Sequence, residues 1–464
     1  MRTRFITTLV SACLLAGCTV GPNYRRPAVT SPAVFRGGAA DPTSLADLKW
    51  FEVFKDEQLQ QLVRTALAQN YDLRDAVVRV DSARANVGIT RADRLPNLTA
   101  SADVTTLRFS TGGSFPLPEG FSQRRTFGSV ALNFLSFEAD VWGRLHRATE
   151  AARANLLASE ENRKTVITTL VSDVATSYFD LLELDTELEI ARRTLATRED
   201  SLKVIRIREG RGLASLLDLR QGEQLVHTAA QRIPNSERLV EQSENQISLL
   251  LGQSPGPIAR GRPLTEQEQP PAVPPGVPSS LLERRPDIRA AEQSLIAANA
   301  IIGVAKAAYF PRISLTGSLG SQSDQLSKLF TGPTGVWQFV PQLTQPIFTG
   351  GRLRSNVDLA QSQQQLALIQ YERVILTAFR EVADALVQSQ RVREVRAKQE
   401  LLVTTLRDRS RLAYLRYRGG VDTLLNALDA DRDLFDAELG LAQTQRDELL
   451  ALVQLYRALG GGWQ

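Results

Sequence analysis

GRLHRATEAARANLLASEENRKTVITTLVSDVATSYFDLLELDTELEIARRTLATREDSLKVIRIREGRGLASLL, residues 143–217, decides the fold, because it is a long helical pattern that the chain states twice. Its opening Gly143-Arg144-Leu145 returns as Gly351-Arg352-Leu353, 208 positions later. The same offset carries Val166-Ile167 onto Val374-Ile375, Val174-Ala175 onto Val382-Ala383, Arg208 onto Arg416, Gly212 onto Gly420 and Leu216-Leu217 onto Leu424-Leu425 without a gap. Upstream, Asp72-Leu73-Arg74, Gly88 and Pro96 meet Asp287-Ile288-Arg289, Gly303 and Pro311 at an offset of 215, so the first copy holds seven extra residues between Pro96 and Gly143. A repeat this long is no solenoid unit of 20–50 residues; it implies two pseudo-symmetric copies of one substructure.

Within the first copy Val174, Leu181, Leu188, Leu195 and Leu202 recur every seven residues, the seam of a coiled coil. No proline or glycine interrupts Arg144–Arg208, so one helix of about 90–100 Å can run through it. Before each long segment the period changes to two. Leu98–Thr105 and Ser129–Phe134 alternate apolar or small with polar residues, and Ile313–Leu319 and Val336–Val340 do so in the second copy. These four candidate strands suit tilted membrane-spanning strands, with no charge in the presumed outward sets. Four strands are too few to close a membrane barrel, which leaves a soluble sheet or a barrel shared between copies.

The 464 residues are 43% hydrophobic and 23% charged, with a net charge of +4, which gives no support to nucleic-acid binding. Residues 1–17 read as a signal peptide: Arg2 and Arg4, an apolar run from Phe5 to Ala16, then Leu15-Ala16-Gly17-Cys18, a lipobox whose cysteine takes lipid. Thr19 follows with no retaining aspartate, so an outer-membrane lipoprotein is expected. Cys13 leaves with the signal, and the mature chain can form no internal disulfide.

Residues 18–55 form the lipidated tether, 56–252 the first repeat, 253–286 a connector holding nine of 21 prolines, 287–460 the second repeat and 461–464 a tail. Strands are expected at about 97–109, 126–138, 312–320 and 335–347, and long helices at about 140–208, 215–251, 351–417 and 423–459. His146 and His227 lack metal-ligand spacing, and no Walker A loop or nucleophile elbow is present, so neither an enzyme nor a cofactor is expected beyond the lipid on Cys18.

A lipobox followed twice by short helix, two strands, long helix, tip and long helix resembles the TolC-like outer membrane factors, in their lipoprotein branch serving multidrug efflux. Cys18-Thr19-Val20-Gly21-Pro22-Asn23-Tyr24 with Pro27 resembles that branch's mature start, and Gln345-Pro346-Ile347-Phe348 with Gly350-Gly351-Arg352 its passage from last strand to long helix. The resemblance implies a mainly α chain with a membrane β-barrel portion. Three chains would make one 12-stranded barrel continued by an α-helical periplasmic tunnel. The duct would conduct small molecules passively, with a periplasmic adaptor, an inner-membrane resistance-nodulation-division transporter and outer-membrane lipid as partners. Duct service for type I protein secretion is the alternative, and a pore-less structural coiled-coil lipoprotein a further one. Adaptor and transporter genes alongside would favour efflux, and a structural rod would never conduct.

The tips are read at Arg208–Ser215 and Arg416–Thr423, where glycines reverse the chain and Ser215 or Thr423 caps the returning helix. The resemblance places adaptor contacts at Gly212, Leu213, Gly420 and Val421. It also implies a gate of Leu425, Asp429 and Arg432, with Leu and Asp closing the pore as threefold rings and Arg binding a neighbouring helix. Spacings of four and three put these residues on one helix face, where an exposed intrahelical Asp429–Arg432 pair is the plainer alternative. The offset of 208 sets Gln221 and Gln224 against Asp429 and Arg432, so only the second copy supplies the gate's charges.

Overall fold

The structure, a computed structural model, describes residues 19–29, 32, 34–35, 44–110, 122–268 and 278–463. The expected signal peptide, Cys18, part of the tether, part of the first hairpin loop, four of the connector's nine prolines and the last residue of the tail lie outside them. The main elements are α1 (Glu57–Gln69), α2 (Tyr71–Ala92), β1 (Asn97–Arg108), β2 (Arg124–Ala139), α3 (Arg144–Gly210) and α4 (Leu216–Leu250), then α5 (Pro286–Ala307), β3 (Arg312–Ser323), β4 (Gly335–Thr344), α6 (Arg352–Arg418) and α7 (Leu424–Ala458). Positive-φ glycines at 143, 212 and 252 return at 351, 420 and 460, each shifted by 208. L-side chains avoid this backbone region, so the repeat is written in its punctuation.

The chain divides into two compact units. One gathers Val80–Ser159 and Ala291–Tyr371 with the described part of Met1–Ala28. Its antiparallel sheet runs β1-β2-β3-β4. The register sets Leu98 opposite Phe134, Ala100 opposite Leu132 and Val104 opposite Gly128, and continues through Leu319 opposite Trp337 and Gly317 opposite Phe339. These residues share one face, since side chains alternate along a strand. Trp337 is 77% exposed and Leu319 65%, so the apolar face is uncovered within the chain. The opposite face is polar, with hydrogen bonds from Ser129 Oγ to Asp103 (2.6 Å) and from Asn133 Nδ2 to Ser101 (2.9 Å). A bulge between Phe134 and Phe137 keeps both rings on the apolar face, their centroids 6.1 Å apart.

The strands are longer at one end than the alternating segments suggest, and the apolar face ends on Arg108 opposite Arg124, correcting the expectation of charge-free outward sets. β4 stops at Thr344 rather than 347, because Pro346 has no N–H for a ladder. At the sheet's helical end Trp142 stacks on Phe310 (4.7 Å) and donates to the Pro311 carbonyl (2.8 Å).

The tether is not loose in this unit. Val20 N–H donates to the Trp142 carbonyl (3.0 Å), Arg147 reaches Asn23 Oδ1 (2.7 Å) and Tyr24 donates to Glu292 (3.1 Å). Gly21, at φ +104°, lies so close to Gly303 that a Cβ would stand 2.5 Å from its Cα.

The second unit holds Val29–Arg79, Glu160–Ala290 and Glu372–Gln464. Its core joins Leu59, Leu62 and Val63 of α1 to Val174, Tyr178 and Leu181 of α3, Ile247 of α4 and Val453 and Tyr456 of α7. Two expectations are corrected here. The tether contributes Phe35, Leu45, Trp50 and Phe54, with a helical turn at Trp50–Val53, and the connector contributes Ile258, Leu264 and Leu281. Proline and glycine rule out long helices but leave extended chain free to insert apolar anchors between them. Asp56 fastens the arrangement: it caps α1 at Gln58 and Leu59 and accepts from Tyr178 Oη, Arg262 N and Gln267 Nε2. Burying that carboxylate among five donors meets its hydrogen-bonding needs.

Candidate gate and hairpin tips

Both tips are built by one backbone device. At the end of α3, Gly212 has φ +70°; Leu213 N–H donates to the Arg208 carbonyl (2.7 Å) and Gly212 N–H to Glu209 (2.8 Å). At the end of α6, Gly420 has φ +72°, with Val421 donating to Arg416 (3.1 Å) and Gly420 to Tyr417 (3.0 Å). This paired pattern satisfies the last carbonyls of a helix and needs a left-handed residue, which glycine supplies. Both glycines have open space where a Cβ would be, so conformation rather than crowding selects them. Leu213 and Val421, next in the chain, are about two-thirds exposed. Beneath the tips Ile205, Tyr417, Leu424, Ala427 and Leu428 form a small core, and Arg208 lies over the Tyr417 ring at 4.7 Å.

The caps differ. Ser215 Oγ accepts from Asp218 N–H (3.1 Å) while Asp218 accepts from Ser215 N–H (2.8 Å), a reciprocal capping box. Thr423 makes no side-chain cap, correcting the expectation for that position. The neighbouring Asp422 ties the turn together instead, accepting from Asn426 Nδ2 (2.7 Å), Arg416 Nε (3.0 Å) and Thr423 N–H (2.8 Å). Those donors, Asn426 first, hold its carboxyl below the usual range.

α7 divides its labour by face. Leu424, Leu428, Asp431, Phe435 and Glu438 follow steps of three or four and turn toward α3 and α6. Asp431 accepts from Arg198 of α3 (2.7 Å) in a pair buried on both sides, with the guanidinium also over Phe435 (4.9 Å) and donating to the Leu225 carbonyl (3.0 Å). Burial pushes the Asp431 carboxyl up and Arg198 opposes the shift. Glu438 is held by Arg193 of α3 (2.6 Å) and Arg407 of α6 (2.8 Å).

Leu425, Asp429 and Arg432 lie roughly a third of a turn away, on a face α3 and α6 leave open. Leu425 is half exposed and Asp429 half-buried, with Arg432 exposed. Arg432 meets Asp429 Oδ1 at 3.4 Å and Asp433 Oδ1 at 3.2 Å, so among the described residues its partners are on its own helix. Asp433 and then Asp429 strengthen its hold on its proton. Asp433 is itself held by Arg409 of α6 (2.7 Å) and its carboxyl lies below the usual range for that reason. The face can thus present carboxylate and guanidinium groups together with one leucine, while the first copy has uncharged Gln221 and Gln224 at the equivalent positions.

Sequence reading missed Arg198, Asp431 and Asp422. A signal existed for Arg198: it interrupts the apolar stripe Leu184, Ala191, Ile205, and a charge in such a stripe needs a buried partner. His146 and His227 are both exposed. Among the described residues no three His, Cys, Asp or Glu side chains cluster as metal ligands would.

The model of the outer membrane efflux protein family matches residues 62–253 and 277–461, one stretch for each repeat. The probable efflux pump outer membrane protein TtgC of Pseudomonas putida is 37% identical over 475 residues, covering 100% of this chain and 96% of that protein. Outer membrane protein OprJ of Pseudomonas aeruginosa is 38% identical over 467 residues, covering 99% and 96%. Among solved structures, the open state of the Neisseria gonorrhoeae MtrE outer membrane channel superposes with a TM-score of 0.88 at 34% identity, covering 96% of this chain and 99% of that one.

Proposed function

The chain belongs to the outer membrane efflux protein family, and from that premise we propose how this molecule serves as the outer-membrane exit duct of a tripartite efflux system. The observation that carries the reading is the four-stranded sheet, with an uncovered apolar face, a polar reverse and unpaired edges at β1 and β4. Open strand edges and bare apolar surface are both costly in isolation. Three chains side by side pair every edge in a 12-stranded barrel, apolar outside and polar within, of a size that holds a water-filled lumen. Solutes pass through that lumen without chemistry by the chain itself, and a transporter elsewhere supplies the energy.

Leu213 and Val421, exposed on rigid glycine turns, suit apolar contact with the hairpins of a periplasmic adaptor, which links the duct to a resistance-nodulation-division transporter. Cys18 carries the lipid, one residue before the docked Thr19–Tyr24 strip. The open face of α7 meets its copies at the tunnel axis, where Leu425 and Asp429 form the gate's rings and Arg432 holds them shut. Three converging carboxylates repel one another unless cations or basic neighbours compensate, so the closed ring favours cations.

Purified protein in a planar bilayer is expected to give discrete single-channel currents, and deletion of its gene is expected to sensitise the cell to several small toxic compounds. A preparation of folded trimer that never conducts would contradict the duct.

A further inference from the structure

The apolar face of the sheet ends on a pair of arginines that the duct function does not use. Arg108 closes β1 and Arg124 opens β2, directly opposite one another in the register. They follow Val104 and Thr106 on the outward face, and both are exposed. Like charges facing across a ladder repel, and among the described residues neither guanidinium forms an ion pair with a carboxylate. Thr106 and Thr126, the next pair inward, hydrogen-bond to each other at 3.0 Å and offer no negative charge. Among the described residues no anion of the chain answers these two guanidiniums, which leaves them open to one from outside.

Their height indicates which anion. From Leu98 to Arg108 is ten residues, about 33 Å along a strand. At a tilt of about 40° this spans about 25 Å of membrane, the height of a barrel's apolar band. Arg108 and Arg124 therefore stand at the outer rim of that band, where the phosphates of outer-leaflet glycolipid lie. A charge costs little there, whereas at the midplane it would cost several kcal/mol per residue. The second copy has no such pair, because its outward face ends on Ser321 opposite Gly335. Each chain thus carries one basic pair, and a three-chain barrel three.

We propose that Arg108 and Arg124 clamp a phosphate of the outer-leaflet glycolipid on the outer surface of the barrel, fixing the duct's depth and enclosing it in a ring of bound lipid. Guanidinium forks suit phosphate oxygens because they donate two parallel hydrogen bonds. The reading rests on the outer-membrane placement argued above.

The test uses the full-length trimer in mixed micelles with diphosphoryl lipid A or the same lipid stripped of phosphate, and retained lipid is counted by native mass spectrometry. The wild-type protein is expected to retain the phosphorylated form about tenfold better, as one or two charge-assisted hydrogen bonds would produce. In Arg108→Gln/Arg124→Gln that ratio is expected to fall close to one, while Arg108→Lys/Arg124→Lys keeps part of it. Millimolar inorganic phosphate is expected to leave the wild-type ratio unchanged; if it abolishes the preference, the site takes free phosphate and the lipid assignment falls. Equal retention of both lipids by the wild type, which needs no variant to fold, overturns the clamp, as does a preference surviving in the glutamine variant. Single-channel current is recorded from the same preparations. A conducting trimer without the preference overturns the clamp alone, whereas a silent one that keeps it overturns the duct alone.

Discussion

α3 and α6 are each 67 residues long and share one register, yet they bury different things. The seam of α3 reads Val174, Leu181, Leu188, Leu195, Leu202, all buried or half-buried. At the same positions α6 reads Val382, Ser389, Arg396, Val403, Ser410, and it leaves Leu366, Leu376, Leu401 and Leu415 more than half exposed. The glycine turns and helix lengths are equal in the two copies while the polar equipment is not. Duplication therefore preserved backbone punctuation, which sterics hold tightly, and side chains diverged wherever the two helices met different neighbours.

The largest effect expected from this divergence is at the buried bridge between copies. Arg198 corresponds to Leu406 in the second copy, and Asp431 to Glu223 in the first. Arg198→Ala strands a buried carboxylate and is expected to cost about 3–5 kcal/mol of stability, seen as a marked drop in the melting temperature of the purified protein. Glu223→Gln is expected to leave it nearly unchanged. Equal effects in the two would mean that the bridge is not specific to this pairing.

A smaller effect depends on pH and belongs to the first copy alone. Glu183 and Glu187 are buried together on α3, where the second copy has exposed Arg391 and Val395. Arg232 (3.1 Å) and Gln443 (3.3 Å) attend Glu187, whereas Glu183 shares a hydrogen bond with Glu187 and its one ion pair among the described residues is with Arg446 at 3.9 Å. Burial, then the Glu187 carboxylate, pushes Glu183 up to about 8. The folded chain therefore keeps a proton that the unfolded chain releases above the ordinary carboxyl range. Its stabilisation is complete below that range and is lost as pH rises toward 8, with a slope of up to about 1.4 kcal/mol per pH unit. Melting curves between pH 5 and 8 should show this decline, and Glu183→Gln should flatten it. An unchanged slope in the variant would move the effect elsewhere.

The smallest effect separates the caps. Ser215→Ala is expected to cost about 1 kcal/mol through loss of the capping box. Thr423→Ala should cost a few tenths at most, because the Thr423 side chain makes no cap hydrogen bond to lose. Equal losses would restore the symmetry that the hydrogen bonds deny.

Local signals were legible without coordinates. Gly212 and Gly420 marked the tips because few residues tolerate positive φ, and the period of two marked β1 to β4. Long-range pairings were not. Arg198 finds Asp431 across 233 positions, and no local pattern names such a partner. Trp50 and Phe54 lie beside a proline-rich stretch whose composition suggests a free tether, and only the fold reveals them as core, with Phe54 packed against Phe179 and Tyr456. The same holds for Asp422, whose hold on the second turn requires Arg416 and Asn426 to converge. On the open face of α7, only family resemblance singles out Leu425, Asp429 and Arg432, and the chain by itself displays an Asp429–Arg432 ion pair there.

In the proposed duct, two copies with one backbone carry one gate, in the second copy only. Single-channel recording of Asp429→Ala/Arg432→Ala beside Gln221→Ala/Gln224→Ala tests it most directly. The account predicts higher conductance and weaker cation preference in the first variant, and wild-type behaviour in the second. Unchanged conductance in the first, or equal gains in both, would contradict it.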